Sequence, residues 1–490
     1  MAAIMIQGCG SDVGKSVLVA GLCRLFTRHG LRVRPFKPQN MSNNAAVTAP
    51  DSQGRTGEIG RAQALQAMAC RTPPTVDMNP VLLKPQSDTG TQLVVRGQVQ
   101  GSWKASGYQA HKTALLDVVL ESFKVLKAES DLVIVEGAGS PAEINLRASD
   151  IANMGFALAA DVPVILVGDI DRGHVIAALA GAHTVLDAAD RGAIKGFIIN
   201  KFRGDPALFD EGRQQIQNLT GWPDMGMIPW LKDAAFLPAE DAVVLQTPLP
   251  SSEGKRLKIA VPMLSRIANF DDFDPLRLEP QIDLSFVPPG QVIGADTDVI
   301  IIPGTKSTIS DLAFLRAQGW DIDILSHVRR GGRVIGICGG YQILGSTVHD
   351  PAGIEGPIGS SEGLGLLDVD TRLEGPKTLK KVQGVLAGSQ APFTGYEIHI
   401  GATTGPDTAQ PVAFIDGRPQ GAISPDGKVM GLYVHGLFDQ TEVRAALLPE
   451  LSGQITPTNH SQRIHEALDR IADILEAHLD IPTLSKIAGL

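Results

Sequence analysis

The sequence predicts two doubly wound α/β domains in tandem, on three observations. Short apolar runs of the kind that form buried strands alternate with helix-length stretches through both halves of the chain. A glycine-rich phosphate loop stands between the first strand and the first helix. A segment at 236–256, with Pro238, Pro248, Pro250 and the run Ser251-Ser252-Glu253-Gly254-Lys255, separates the two series. A chain of 490 residues is too long for one core. The predicted division is 1–235, a linker at 236–256, a second domain at 257–450, and a tail at 451–490 with an amphipathic helix.

Residues 3–7 form the first strand, and Gly8-Cys9-Gly10-Ser11-Asp12-Val13-Gly14-Lys15-Ser16 follows it. This is a phosphate loop with one residue more between its outer glycines than the usual spacing. The backbone N–H groups of Gly8, Ser11, Asp12, Val13 and Gly14, with the N-terminus of the next helix, are suited to cradle the phosphates of ATP. Lys15 would neutralise the β- and γ-phosphates, and Ser16 would hold Mg²⁺. The helix is predicted over Val17–Phe26 and the second strand over Leu31–Phe36, which runs into Lys37-Pro38-Gln39-Asn40-Met41-Ser42-Asn43-Asn44. Open α/β sheets bind ligands at strand carboxyl ends, so Lys37, Asn40 and Asn43 are candidate substrate contacts. A polar loop rich in turn-forming asparagines is the competing reading. Asn79-Pro80-Val81-Leu82-Leu83-Lys84-Pro85 adds Lys84 as a second candidate.

A helix is predicted around 108–127, then a buried strand, Asp131–Val135, that delivers Glu136 to the turn Gly137-Ala138-Gly139. A carboxylate there can face the phosphate loop and complete the Mg²⁺ shell with Ser16. Strand Val162–Val167 leads into Gly168-Asp169-Ile170-Asp171-Arg172-Gly173, where Asp171 and Arg172 are candidate substrate residues, and Gly196–Ile199 is the next strand.

The second series starts at Leu257–Val261. Asp298–Ile302 is a buried strand ending in Pro303-Gly304-Thr305-Lys306-Ser307-Thr308. Arg333-Val334-Ile335 then enters Gly336-Ile337-Cys338-Gly339-Gly340, the cysteine form of a nucleophile elbow: glycines allow a sharp turn that holds the sulfur clear of the backbone. A helix N-terminus beneath the sulfur favours the reactive thiolate. A buried structural cysteine is the competing reading, and it yields once a histidine base is available. His399 and His435, each closing a short strand, are the two candidates, and His435 is preferred. The N–H groups of Gly304 and Gly339 would form an oxyanion hole. In the tail, Ile464, Leu468, Ile471, Leu475 and Leu479 recur at helical spacing, the mark of a packing helix.

Composition narrows the function classes. At 43% hydrophobic and 20% charged the chain is ordinarily globular. Cys9, Cys23, Cys70 and Cys338 have neither metal-ligand nor disulfide spacing, which suits a reducing compartment. No apolar run approaches the ~20 residues of a membrane helix, and the N-terminus lacks a basic leader, so a cytoplasmic protein with no membrane partner is expected. Residues 1–235 carry a net charge of +1 and 236–490 a net of −11. That balance argues against nucleic acid and places an anionic substrate on the first half.

These motifs carry a family resemblance that covers nearly the whole chain. The long-spaced phosphate loop followed by Glu136-Gly137-Ala138-Gly139 resembles the dethiobiotin-synthetase-like ATPases, which are P-loop NTPase-like. Pro303-Gly304-Thr305, the Cys338 elbow and His435 resemble class I glutamine amidotransferases. In this order the two resemble the cobyrinate amidases. Lys37–Asn44, Asn79–Pro85, Asp169–Gly173, Asn269–Pro275 and Tyr396–Gly401 are similar to the branch that converts cobyrinic acid a,c-diamide to cobyric acid. The resemblance implies ATP- and glutamine-dependent amidation of four carboxylates of an (adenosyl)corrinoid, with Cys338 forming a thioester and His435 shuttling protons. The implied partners are corrinoid, glutamine, ATP and Mg²⁺, with self-association left open.

Two positions depart from the wider pattern. Leu437 occupies the place of the usual triad glutamate, so a Cys–His dyad is expected, as in the other cobyrinate amidases, with the orienting partner of His435 left open. His174 stands where glycine is more frequent. The rival readings are the sister enzyme that makes the a,c-diamide, a partitioning-type ATPase switch, and a binding protein with a dead glutaminase domain. Residues 37–44 argue against the first, and Cys338 with His435 against the other two.

Overall fold

Strand β1 (Ala2–Gly8) is buried at every position, as its apolar run Ala2–Ile6 suggests, since a strand covered on both faces has no solvent side to alternate toward. The computed structural model to which it belongs describes residues 2–85, 90–240, 257–355, 358–451, 453, 455–457 and 459–490, with 102–113 described by backbone alone. The chain forms two units. The first is Met1–Ser42, Thr48–Pro238 and Ile464–Leu490, and the second is Asn43–Val47 and Ala239–Arg463. Most of the linker expected at 236–256 lies outside the described residues.

In the first unit, β1 is followed by β2 (Val33–Phe36), β3 (Gln39–Met41), β4 (Val81–Pro85), β5 (Gly90–Val95), β6 (Gln98–Lys104), β7 (Leu132–Glu136), β8 (Val164–Asp169), β9 (Ile194–Phe202) and β10 (Asp224–Pro229). The main sheet is wholly parallel in the order β10-β9-β8-β1-β7-β2. The chain leaves β1 toward one edge and later returns to its other side at β8. The carboxyl end of β1, where the phosphate loop begins, is therefore the switch point at which such sheets bind ligands. Strands β3-β4-β5-β6 form a separate small sheet, parallel in its first pair and antiparallel thereafter. The helix expected in the tail spans His460–His478. Its Ile464, Leu468, Ile471 and Leu475 sit in the apolar core beneath helix Lys15–Arg28, and Arg28 pairs with Asp473 at 2.7 Å.

The second unit contributes β11 (Leu257–Pro262), β12 (Ile282–Val287), β13 (Val299–Ile302), β14 (Arg333–Ile337), β15 (Pro392–His399), β16 (Ala422–Ile423), β17 (Val429–Leu432) and β18 (Val434–His435). Its main sheet runs β12-β11-β13-β14-β17-β16, parallel except for β16. β15 pairs antiparallel with β18 in a second sheet, with Tyr396 opposite His435. Trp320 anchors the core, fully buried with its indole N–H donating to Gln291 O at 2.7 Å.

The turn after β14 is packed too closely for side chains. A Cβ on Gly340 would overlap the backbone oxygen of Ile302. Gly340→Ala is therefore expected to destabilise the second unit by about 1–3 kcal/mol, the usual cost of overpacking, read as a lower midpoint of urea unfolding.

Candidate active sites

Two sites emerge, one in each unit. In the first, the phosphate loop closes into helix Lys15–Arg28 through Gly14, whose φ of 92° is open to glycine at little cost. Lys15 Nζ donates to the carbonyls of Gly10 at 2.9 Å and Gly139 at 3.1 Å. Ser16 Oγ donates to Glu136 Oε1 at 2.8 Å, so the two residues expected to hold a metal are neighbours. Lys37 Nζ lies 2.8 Å from the same oxygen, and Gln66 Nε2 donates to the other at 2.5 Å. Glu136 is buried, and both of its oxygens are met by these donors. Ser16 and Glu136 are hard oxygen donors, the set that Mg²⁺ takes beside phosphate oxygens. Nothing in the local sequence marked Gln66, a helical glutamine with no motif around it.

The substrate candidates divide. Lys37 is buried against Glu136 at the phosphate-loop site. Asn40 is buried too: its Nδ2 donates to Gln63 at 3.0 Å, and its Oδ1 accepts from Met41 N at 2.8 Å. Lys84 is buried in an ion pair with Glu58 at 2.9 Å, so its charge is met inside the fold and not held out to a ligand. Asn43 belongs to the second unit and not with the other candidates. Arg172 reaches Asp12 of the phosphate loop at 3.5 Å, and Asp171 pairs with Arg203 at 2.7 Å. The loop after β8 is thereby tied to the rim of the phosphate loop. His174 holds φ 51° at the start of helix Val175–Val185, a conformation glycine adopts more easily.

In the second unit, Cys338 sits between β14 and helix Gly339–Leu344 at φ 53°, ψ −110°. That strained corner turns the side chain out of the strand's path. The residue is buried, and its thiol donates to Ile398 O at 3.5 Å. His435 ends β18, and its Nδ1 lies 2.7 Å from Asp272 Oδ2. The other Asp272 oxygen accepts from Gly436 N at 2.7 Å. Tyr396 stacks on the imidazole at 5.2 Å and 18°, and its hydroxyl accepts from Asn269 Nδ2 at 3.1 Å.

The orienting partner of His435, left open by the sequence, is here the Asp272 carboxylate. The carboxylate behind His435 comes from a turn far earlier in the chain and not from position 437, whose leucine is buried in the core. Burial opposes the imidazolium of His435, but the Asp272 carboxylate and the charge on Cys338 outweigh it and push its pKa up to about 10. His435 Nε2 has no nitrogen or oxygen partner among the described residues and interacts with the Cys338 charge.

His399, the other candidate, stacks on Tyr433 at 3.8 Å and 12°. Burial, and then the charge of His435, push it down to about 4, so it is neutral near pH 7. Gly304 passes so close that an added Cβ would lie 3.1 Å from His435 Cε1 and 3.7 Å from Cys338 Cβ. A Cβ on Gly339 would meet Thr305 Cγ2 at 2.6 Å. Both oxyanion candidates therefore lie in the walls around the sulfur. The arrangement offers a thiol, an imidazole backed by a carboxylate, and backbone amides beside them, the requirements of acyl transfer through a thioester.

Residues 258–443 match the family model of the CobB/CobQ-like glutamine amidotransferase domain. Residues 4–244 match that of the CobQ/CobB/MinD/ParA nucleotide binding domain. A cobyric acid synthase of Caulobacter sp. (strain K31) is 65% identical over 491 residues, spanning 100% of both chains. One of Sphingopyxis alaskensis is 59% identical over 490 residues, with 100% of this chain and 99% of the relative covered. One of Rhizobium johnstonii is 59% identical over 487 residues, with 99% of each covered. Among the described residues no helix is long and apolar enough to cross a membrane.

Proposed function

The chain belongs to the cobyric acid synthase family, and from that premise we propose that it amidates the b, d, e and g side-chain carboxylates of (adenosyl)cobyrinic acid a,c-diamide to give (adenosyl)cobyric acid. The reaction class is ATP- and glutamine-dependent amidation in cobalamin biosynthesis. The observation that supports the reaction class best is that one chain carries the Cys338–His435–Asp272 line and a phosphate loop with Ser16 against Glu136. The full-length similarity to cobyric acid synthases supports the finer choice of carboxylates. Free thiols at all four cysteines suit the cytosol.

In the second unit, the Cys338 sulfur attacks the glutamine carboxamide carbon. The oxyanion that forms is met by the N–H groups of Gly304 and Gly339. His435, protonated at Nε2, hands its proton to the departing nitrogen, and ammonia leaves behind a glutamyl thioester. His435 then takes a proton from water as that water attacks the thioester, which releases glutamate and restores the thiolate. Asp272 holds the ring in one orientation and stabilises its charge.

Asp272→Asn keeps the shape and removes that charge. Glutamine hydrolysis is expected to fall on the order of 10²–10⁴-fold in kcat/KM. Because the carboxylate raises the His435 pKa, its loss lowers that pKa, and the alkaline limb of the pH profile moves to lower pH. An unchanged limb in glutamate-release assays would remove Asp272 from the mechanism.

In the first unit, a corrinoid carboxylate takes the γ-phosphoryl group of ATP and becomes an acyl phosphate. Ammonia adds to its carbon, and phosphate leaves with the C–O bond. A carboxylate oxygen is a poor leaving group and phosphate a good one, hence the ATP. Lys15 and the loop amides hold the phosphates. Mg²⁺ held by Ser16 and Glu136 would neutralise charge on the transferring phosphoryl group. Lys37, beside Glu136, stands where it can pair with a phosphate oxygen.

The test is direct. Incubation with ATP, Mg²⁺, glutamine and cobyrinic acid a,c-diamide should give four successive losses of one mass unit, each an acid becoming an amide. Conversion of cobyrinic acid instead, with the a,c-diamide left untouched, would favour the sister activity.

A further inference from the structure

Asp311 lies in the first turn of helix Thr308–Ala317 and is completely buried. A carboxylate is costly to take out of water, so what it holds in return is informative. One oxygen accepts from the Ser265 hydroxyl at 2.5 Å and from Arg266 N at 3.3 Å. The other accepts from the Thr305 hydroxyl, and from the same amide at 3.1 Å. Burial still pushes the Asp311 carboxyl up, against these bonds.

Both sets of donors belong to loops that carry glutaminase groups. Ser265 and Arg266 open the loop after β11 that leads to Asn269 and Asp272. Thr305 lies in the loop after β13, next to Gly304. The two loops are also knit by backbone. Lys306 N donates to Arg266 O at 3.0 Å, Ala268 N donates to Gly304 O at 2.9 Å, and Ile267 bridges to Thr305. Thr305 Oγ1 in turn accepts from Ser307 N at 3.0 Å.

We propose that Asp311 is a positioning residue that fixes two parts of the glutaminase machinery in one frame, the Gly304 N–H in front of the sulfur and the Asp272 carboxylate behind His435. This rests on the glutaminase reading given above. Cys338 rides on a strand end, but Gly304 rides on a loop and Asp272 on the single 3-10 turn Phe270–Phe273 at the end of another. Such segments hold catalytic geometry less tightly than strands and long helices do. Misplacement by about 1 Å costs on the order of 10²-fold in rate. A single acceptor rooted in a helix and shared by both loops removes that freedom.

The experiment measures glutamate release from glutamine by the full chain, with kcat and KM separated, for the wild type and for Asp311→Ala, Asp311→Asn and Thr305→Val. Asp311→Ala is expected to lose on the order of 10²-fold in kcat with KM within about threefold, since the groups that move stabilise the transition state. Asp311→Asn keeps an acceptor oxygen and should recover part of the loss. Thr305→Val removes one hydroxyl and should lose roughly tenfold. Ammonia-driven amidation by the same variants should stay at the wild-type rate, which reports an intact first unit, and a cooperative urea-unfolding transition of the second unit reports that it too is folded. If Asp311→Ala does not fold, the Asn and Val variants decide. The proposal is overturned if both keep wild-type kcat, or if their loss lies in KM alone. A wild type that releases no glutamate would overturn the glutaminase reading itself.

Discussion

Replacing Cys338 with alanine is expected to abolish glutamine-dependent amidation, roughly 10⁴–10⁶-fold in kcat, while amidation driven by ammonium salts continues. Among the described residues nothing else at the site can substitute for the sulfur. His399 is neutral and stacked on Tyr433, and no thioester forms without a thiol. The first unit needs only ammonia and an activated acid, and both remain. The rate with ammonium should rise with pH, because only unprotonated NH₃ is a nucleophile, whereas the wild-type rate with glutamine should fall as His435 loses its proton. Cobyric acid formation under the two nitrogen sources is the measurement. Loss of the ammonia-driven reaction in a folded variant would falsify the assignment of the two chemistries to separate units.

Lys15→Ala should have the complementary effect, with amidation falling on the order of 10²–10³-fold whichever nitrogen source is supplied. The ammonium group donates to Gly10 O and Gly139 O, which prepositions it over the loop. With nucleotide bound, its charge would turn to the phosphates. A neutral side chain leaves developing phosphoryl charge unmet at the phosphate loop. ADP formed per corrinoid, with glutamine and then with ammonium, is the readout. A defect confined to glutamine would contradict the role given to Lys15.

The parts legible in the sequence were those whose chemistry is local. The phosphate loop and the Cys338 elbow each require a fixed order of glycines and reactive groups within a few residues, so the backbone reveals itself. Buried parallel strands such as Leu132–Glu136 announce themselves by lacking polar alternation. What escaped depends on contacts across long separations. Asp272 meets His435 across 163 residues, and it lies among Asp271 and Asp274, from which no spacing singles it out. Strand β12 alternates exposed and buried positions at the edge of its sheet and gave no apolar run to find. Lys84 read as a loop charge because its partner Glu58 comes from a separate strand of three residues. The terminal helix was recognisable from its stripe, but a stripe does not name the surface it covers.

That helix has a consequence for how the molecule is made. Ile464–Leu490 supplies part of the first unit's core, although the whole of 239–463 intervenes. Synthesis proceeds toward the C-terminus at about 5–20 residues each second, so the first unit's core is completed only after 239–463 has been made. Until the final turns clear the ribosome, the apolar face of helix Lys15–Arg28 waits without its cover, while the inserted unit already has every strand it needs. A polypeptide stopped at Pro238 would carry every phosphate-binding residue and still leave that face open to water.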